Sequence, residues 1–140
     1  MSRDRTTAPH RSASSAIRMC ALAAAALLAA SGPALAQVPD DFLGKWSTDP
    51  VRCEQENGEV DVLDMTEDSL AFYEIGCELG QSTPKSDGIS FSAQCYKGGS
   101  PMSSGTVVLQ RTEPDKVDVK LQGFSWITED PESFMRCTAN

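Results

Sequence analysis

Four cysteines are spread along the last 104 residues of this 140-residue chain, and they limit what that part can fold into. A domain of that size buries a modest share of its surface, so its core alone gives only marginal stability. An even number of cysteines in an oxidising compartment is typical of a disulfide framework. The sequence therefore predicts two disulfides, and no free thiols, among Cys53, Cys77, Cys95 and Cys137.

The first 36 residues have the composition of an export signal, which takes no part in the fold. Four arginines precede an apolar run, Met19–Ala30, and Ser31–Pro33 breaks that run before Ala34–Ala36. We expect Sec-type export to the periplasm with cleavage before Gln37, and secretion from the cell is the alternative. About a dozen apolar residues are too few to span a bilayer, which takes roughly 20, so we expect no membrane insertion after processing. A translation start at Met19 instead of Met1 would leave this expectation unchanged.

The processed chain, residues 37–140, is strongly acidic. Four of the 12 basic and one of the 20 acidic residues lie in the leader, which leaves 8 against 19 and a net charge of −11. Such a charge disfavours nucleic acids and anionic lipids and speeds the encounter with cationic proteins. Solubility alone is the simpler interpretation of the same charge.

A run without any lysine or arginine extends from Cys53 to Pro84 and predicts a negative flank. This run has three interpretations: a solvated face, a surface for a basic protein, or a calcium site. The calcium site is the weakest of them because no Asp-x-Asp-x-Asp-Gly loop is present. The acidic residues in the run are Glu54, Glu56, Glu59, Asp61, Asp64, Glu67, Asp68, Glu74 and Glu78.

The chain has one histidine, His10, and it lies in the leader. Without a histidine, the processed chain has no imidazole base for Ser-His-Asp or Cys-His catalysis and no histidine ligand for zinc or copper. Paired carboxylates can hydrolyse glycosides, but they need a cleft, and a small barrel fills with its own side chains. We therefore expect no enzyme activity, no cofactor and no metal.

Period-two alternation of apolar and polar residues predicts strands throughout the processed chain, and no stretch has a helical period. The clearest strand places Ile89, Phe91, Ala93 and Cys95 on one face. The fold class that we predict is all-β: a small antiparallel meander of seven or eight strands, closed or nearly closed into a barrel, with two disulfides. The predicted strands lie within residues 42–46, 58–65, 70–79, 89–96, 106–111, 117–121, 124–128 and 133–137.

The same pattern predicts the orientation of individual side chains. Within residues 70–79 the alternation places Ala71, Tyr73, Ile75 and Cys77 on one face and Phe72 on the other. The two tryptophans, Trp46 and Trp126, are expected in the core.

The predicted topology also indicates which cysteines pair. Cys77 and Cys95 flank the turn at residues 84–88 and lie on strands that should be neighbours. Cys53 follows the first strand and Cys137 ends the last, so a bridge between them would join the two ends of the chain. Four cysteines allow three pairings, and we predict Cys53–Cys137 with Cys77–Cys95.

Residues 95–105 contain glycines, hydroxyl side chains, a lysine and an aromatic ring, which is typical of a flexible loop that contacts a partner. An ordinary Gly/Ser connection between strands is the alternative. The candidate partner-binding residues are Tyr96, Lys97, Ser103, Ser104 and Gly105.

The start of the processed chain, Leu43-Gly44-Lys45-Trp46 followed by Cys53, resembles the Gly-x-Trp opening of calycin-type barrels. It is also similar to small bacterial metalloprotease inhibitors built on such a barrel. That resemblance implies an inhibitory N-terminal tail, residues 37–41. The segment around Lys97 and Ser103–Gly105 is similar to the loops with which small periplasmic lysozyme inhibitors enter a catalytic cleft.

These observations together predict a periplasmic binding or inhibitor protein without catalysis. The preferred partner is a cationic protein, specifically a lysozyme-type peptidoglycan hydrolase. The alternatives are a protease inhibitor that uses its N-terminal tail, a calycin-like carrier of a small apolar ligand, and a structural protein of the cell envelope.

Overall fold

Eight antiparallel strands close into a barrel in the computed structural model, which describes residues 37–54 and 59–138. Each strand pairs with the next, and the eighth pairs with the first, so the prediction of a closed antiparallel meander is confirmed. The predicted export signal lies outside the described residues. The strands are β1 (Gly44–Ser47), β2 (Val62–Met65), β3 (Ser69–Phe72), β4 (Ile75–Lys85), β5 (Gly88–Lys97), β6 (Ser103–Glu113), β7 (Lys116–Gln122) and β8 (Glu132–Arg136).

Because the strands run alternately up and down, their connections alternate between the two ends of the barrel. A 3-10 turn, Asp40–Phe42, precedes β1 and places Phe42 in the core at one end, which we call the plug end. The β2–β3, β4–β5 and β6–β7 turns lie at that end. The opposite end, which we call the rim, consists of residues 48–52, 59–61, 73–74, 98–102 and 123–131 together with the strand ends beside them.

The interior of the barrel is filled by its own side chains. Trp46, Phe91 and Phe134 are completely buried, and the ring of Phe72 meets Phe134 edge to face at 5.5 Å between centroids. Inward residues alternate with outward ones along the strands, as β7 illustrates with buried Val117, Val119 and Leu121. Burial at roughly 25 cal/mol per Å² makes this core the main source of stability besides the disulfides.

The prediction of a single strand over residues 70–79 is wrong. A two-residue turn at Tyr73 and Glu74 divides this segment into β3 and β4, and Phe72 and Ile75 pair across the turn. Directly paired residues share a face, so Phe72 is buried with Ile75, whereas Ala71 and Tyr73 point outward. The sequence does not reveal this reversal of chain direction because the turn contains no glycine, proline or asparagine.

The predicted strand at residues 124–128 is absent, so its pairing with the last strand is also wrong. Gly123 adopts a φ of +82°, and the chain then crosses the mouth of the barrel as a loop. A single last strand, β8, closes the barrel by pairing with β7 on one side and β1 on the other.

Both predicted disulfides are present. Cys77 lies directly opposite Cys95 in the β4–β5 register, with 4.1 Å between their Cα atoms. The second bridge joins Cys53 to Cys137, with 5.9 Å between Cα atoms, and ties the β1–β2 connection to the residue after β8. It lies beside the shortest pairing in the barrel, where β1 and β8 share two residue pairs.

Within the described ranges, no helical segment is both long and apolar enough to cross a membrane.

Candidate interaction surface at the barrel rim

Exposed apolar side chains are concentrated at the rim. Among the residues that the structure describes, four large hydrophobic side chains are exposed: Val51 at 77 %, Tyr73 at 55 %, Met102 at 45 % and Tyr96 at 42 %. Each belongs to a rim connection or to a strand end beside one. Tyrosine and methionine are enriched at protein interfaces, so their grouping at one end marks that end as a candidate interaction surface.

The β3–β4 turn presents Tyr73 and Glu74 at the rim. Tyr73 has a φ of +48°, a conformation that glycine usually supplies in a two-residue hairpin. The amide of Gly98 donates to the carbonyl oxygen of Glu74 at 2.8 Å, which joins this turn to the β5–β6 connection. Two neighbouring rim segments are therefore held together through their backbones.

The ring of Tyr96 lies on the outer wall of the barrel just below the rim. It is directly opposite Gly76, and a Cβ atom built on that glycine would lie 2.6 Å from the ring. Gly76 thus leaves the space that the tyrosine ring occupies. The ring is fixed on one side by this contact and exposed on the other.

Lys97 is the last residue of β5 and begins the β5–β6 connection. Its amide donates to the Ser100 hydroxyl at 2.9 Å, and the amide of Ser100 donates back to the Lys97 carbonyl at 3.1 Å. The connection is therefore a compact turn. The Lys97 ammonium makes no ion pair with any residue in the described ranges, which leaves it available at the rim.

The sequence prediction of one flexible loop over residues 95–105 needs correction, because the loop covers residues 98–102 only. Ser103, Ser104 and Gly105 belong to β6. Ser103 accepts a bond from the Trp126 indole at 3.2 Å, and Ser104 accepts one from the Gln94 amide at 2.7 Å. The structure thus places Tyr96 and Lys97 on the exposed rim surface, whereas both serine hydroxyls already have partners within the barrel.

Gly105 accommodates an aromatic ring instead of contacting solvent. A Cβ atom at this position would lie 2.4 Å from the Phe124 ring, which in turn contacts Trp126 at 5.0 Å between centroids. Phe124 is buried and Trp126 is half-buried, so these rings close the mouth of the barrel beneath the rim. The expectation that both tryptophans are core residues is confirmed for Trp46 and only partly met by Trp126.

The rim carries a surplus of negative charge. Its one arginine, Arg52, is already paired with Asp49 at 3.0 Å and with Glu59 at 3.8 Å, so Lys97 is the remaining cation of the described rim residues. The carboxylates of these rim residues are Asp49, Glu59, Asp61, Glu74, Glu129, Asp130 and Glu132.

The predicted acidic flank is dispersed over the barrel instead of forming one face. Glu67 and Asp68 lie at the plug end, Asp64 and Glu78 lie on the outer wall, and Glu56 lies outside the described residues. Glu54 pairs with Lys45 of β1, and the other three acidic residues of the run lie at the rim. The pattern along the sequence could not reveal this division because it depends on where each strand ends.

Two of the rim carboxyl groups form a pair. The pKa of Glu132 is raised from 4.5 to about 7, chiefly by burial and in addition by a side-chain hydrogen bond with Asp61 and the charge of that residue. Carboxylates carry no donor, so a hydrogen bond between two of them requires a shared proton. The pair therefore joins the start of β8 to the residue before β2 most firmly when it is protonated.

The N-terminal segment, residues 37–41, is bound to the barrel. The amide of Val38 donates to the carbonyl oxygen of Glu67 at 2.8 Å, and its side chain is buried. Asp41 forms an ion pair with Arg111 at 2.6 Å. A cleft of about 820 Å³ lies beside Gln37, and it is lined by residues of the β2–β3 turn and β4.

Comparisons of the chain with models of protein families, with curated proteins and with solved structures found no match.

Proposed function

We propose that the processed chain is a periplasmic binding protein that uses the barrel rim to inhibit a cationic lysozyme-type peptidoglycan hydrolase. The observation that carries this proposal is the grouping of the exposed apolar side chains, Val51, Tyr73, Tyr96 and Met102, within a rim rich in carboxylates. Apolar anchors surrounded by charge are typical of an interface in which charge guides the encounter and the anchors hold the complex.

Lys97 gives this proposal a chemical mechanism. Lysozyme-type hydrolases work with carboxyl groups in a cleft. An ammonium group such as that of Lys97, which makes no ion pair among the described residues, can pair with such a carboxylate and block it. The net charge of −11 would bring the rim to a basic protein surface, and Lys97 would then meet the acidic residues inside the cleft.

The alternatives receive less support from the contacts in the barrel. A protease inhibitor acting through residues 37–41 would need a free tail, but Val38 is buried and Asp41 is held by Arg111. A carrier of an apolar ligand would need interior space, but Phe91, Phe134 and Trp46 fill the core. A structural envelope protein is compatible with the fold but does not account for the exposed rim residues.

Inhibition of a muramidase by the processed protein tests the proposal. The full chain is expressed with its leader in a Gram-negative host, purified from the periplasm, and checked by mass spectrometry for cleavage before Gln37. We expect it to inhibit a cationic c-type lysozyme in low salt, and Lys97→Ala to weaken that inhibition. Lys85→Ala, which removes an equal charge at the plug end, is the control and should have no effect. A wild-type protein that neither binds nor inhibits the lysozyme in low salt would overturn the proposal.

A further inference from the structure

Tyr73 occupies a backbone conformation that disfavours its own side chain. Its φ of +48° is the only positive value at a non-glycine residue in the described ranges. The first position of a two-residue hairpin with positive φ is usually glycine, and a bulky residue there is a true outlier. Such strain persists where the surrounding structure enforces it, and it is frequent at binding sites.

The fold gains little from the Tyr73 ring in return for this strain. The side chain is more than half exposed, and it makes no hydrogen bond, ring contact or ion pair with any residue that the structure describes. The buried residues on either side, Phe72 and Ile75, close the hairpin through their own packing. A glycine at position 73 would satisfy the same turn without strain.

The turn is nevertheless held rigidly. The carbonyl oxygen of Glu74 accepts from the amide of Gly98, and the Cys77–Cys95 disulfide joins β4 to β5 just below. A rigid aromatic side chain loses little conformational entropy when it is buried by a partner, which is why tyrosine is frequent among binding hot spots.

We propose that Tyr73 is the anchor of the rim and that it inserts into the cleft of the cationic partner. The exposed ring is buried by the cleft, and the adjacent Glu74 carboxylate pairs with a lysine or arginine on the basic surface beside the cleft. Charge complementarity argues for this partner because the rim around the turn is rich in carboxylates. This inference rests on the proposed function and identifies its principal contact residue.

The inference predicts opposite effects of one substitution on stability and on binding. Tyr73→Gly should raise the Tm of the processed protein by about 3 to 5 °C, because it removes the strain. The same substitution should weaken binding to a cationic c-type lysozyme by about 30-fold, as expected for a hot spot. Tyr73→Phe keeps the ring and should retain most of the affinity.

Calorimetry and binding titrations on the three proteins distinguish the outcomes. If the wild type binds the lysozyme and Tyr73→Gly binds equally well, the inference is overturned while the proposed function stands. A lower Tm in Tyr73→Gly would also overturn it, since the ring would then serve the fold. If the wild type does not bind the lysozyme, the proposed function and this inference both fail.

Discussion

The guanidinium of Arg136 lies 4.0 Å from the centroid of the Trp46 ring, so the last strand of the barrel covers the tryptophan of the first. The same guanidinium donates to the carbonyl oxygens of Leu43 and Asp41, both of which lie just before β1. The Trp46 indole donates to the Phe42 carbonyl at 2.8 Å. These contacts reinforce the short seam between β1 and β8, where the ladder itself contributes few hydrogen bonds.

Arg136→Ala should destabilise the barrel by about 2 to 3 kcal/mol. The substitution removes a cation–π contact and leaves two backbone acceptors without their donor. Arg136→Lys should recover only part of this loss because an ammonium lacks the planar fork of the guanidinium. Equilibrium unfolding in urea, with the disulfides intact, measures the change.

Lys45→Ala is the control for this prediction. Lys45 also lies in the seam region, but its ion pair with Glu54 is exposed and spans 3.4 Å. Exposed ion pairs contribute about 0 to 1 kcal/mol, so the control should unfold close to the wild type. Equal destabilisation by the two substitutions would contradict the role given to Arg136.

Gly105→Ala should displace the rings that close the mouth of the barrel. The new methyl group would overlap the Phe124 ring, and the overpacking should destabilise the protein by about 2 kcal/mol. The fluorescence of Trp126 should change because its ring packs against Phe124. Gly99→Ala, at a position with nothing within 4 Å of a new Cβ atom, should leave both stability and fluorescence nearly unchanged.

The features of this fold that the sequence predicts are those set by residues close together along the chain. The strand from Ile89 to Cys95 was predictable because each residue alternates with its own neighbours. The cysteine pairing was predictable because Cys77 and Cys95 flank a turn symmetrically. The outward position of Tyr73 was not, since the turn residues Tyr73 and Glu74 carry no turn signal.

The candidate site was predicted only in part, because residues distant in the sequence surround some of its members. Tyr96 and Lys97 lie at a strand end and are exposed, as a contact residue must be. Ser103 and Gly105 have the composition of a loop, but their surroundings include Trp126 and Phe124, about 20 residues further along the chain. No local pattern reveals that a distant ring fills the space beside a glycine.

The two disulfides should differ in their contribution to stability. In the chain-entropy model a bridge with a sequence separation of 84 contributes about 4.5 kcal/mol, and one with a separation of 18 contributes about 3 kcal/mol. Removal of the Cys53–Cys137 bridge by paired serine substitutions should therefore be the more destabilising change. The comparison is removal of the Cys77–Cys95 bridge by paired alanine substitutions. Denaturant unfolding of each variant shows which loss of stability is larger. The reverse order would show that local packing outweighs chain entropy here.

Stability should decrease as pH rises because of Glu132. Its pKa in the folded state, about 7, lies above the ordinary value of 4.5, so the folded protein binds more protons between these values. The stabilisation is fully present below pH 4.5 and is lost as pH rises through 7. The half-exposed position limits the effect to on the order of 1 kcal/mol.

Glu132→Gln isolates this contribution. The amide stays neutral and can still donate to Asp61, so the variant should gain stability relative to the wild type at pH 8 and not at pH 4.5. Glu113→Gln, at an exposed plug-end position, should show no such pH-dependent difference. A Glu132→Gln variant whose stability difference from the wild type is independent of pH would contradict the shared proton.

In the proposed function the rim, and not the barrel as a whole, recognises a cationic hydrolase. The most direct test is the affinity for a c-type lysozyme, measured by surface plasmon resonance at 20 and 200 mM salt. It compares Glu129→Gln/Asp130→Asn at the rim with Asp87→Asn/Glu113→Gln at the plug end, two variants of equal net charge. We predict that the rim variant associates more slowly and loses much of the salt dependence, while the plug-end variant resembles the wild type. Equal effects of the two variants would contradict the claim, because the attraction would then come from net charge alone.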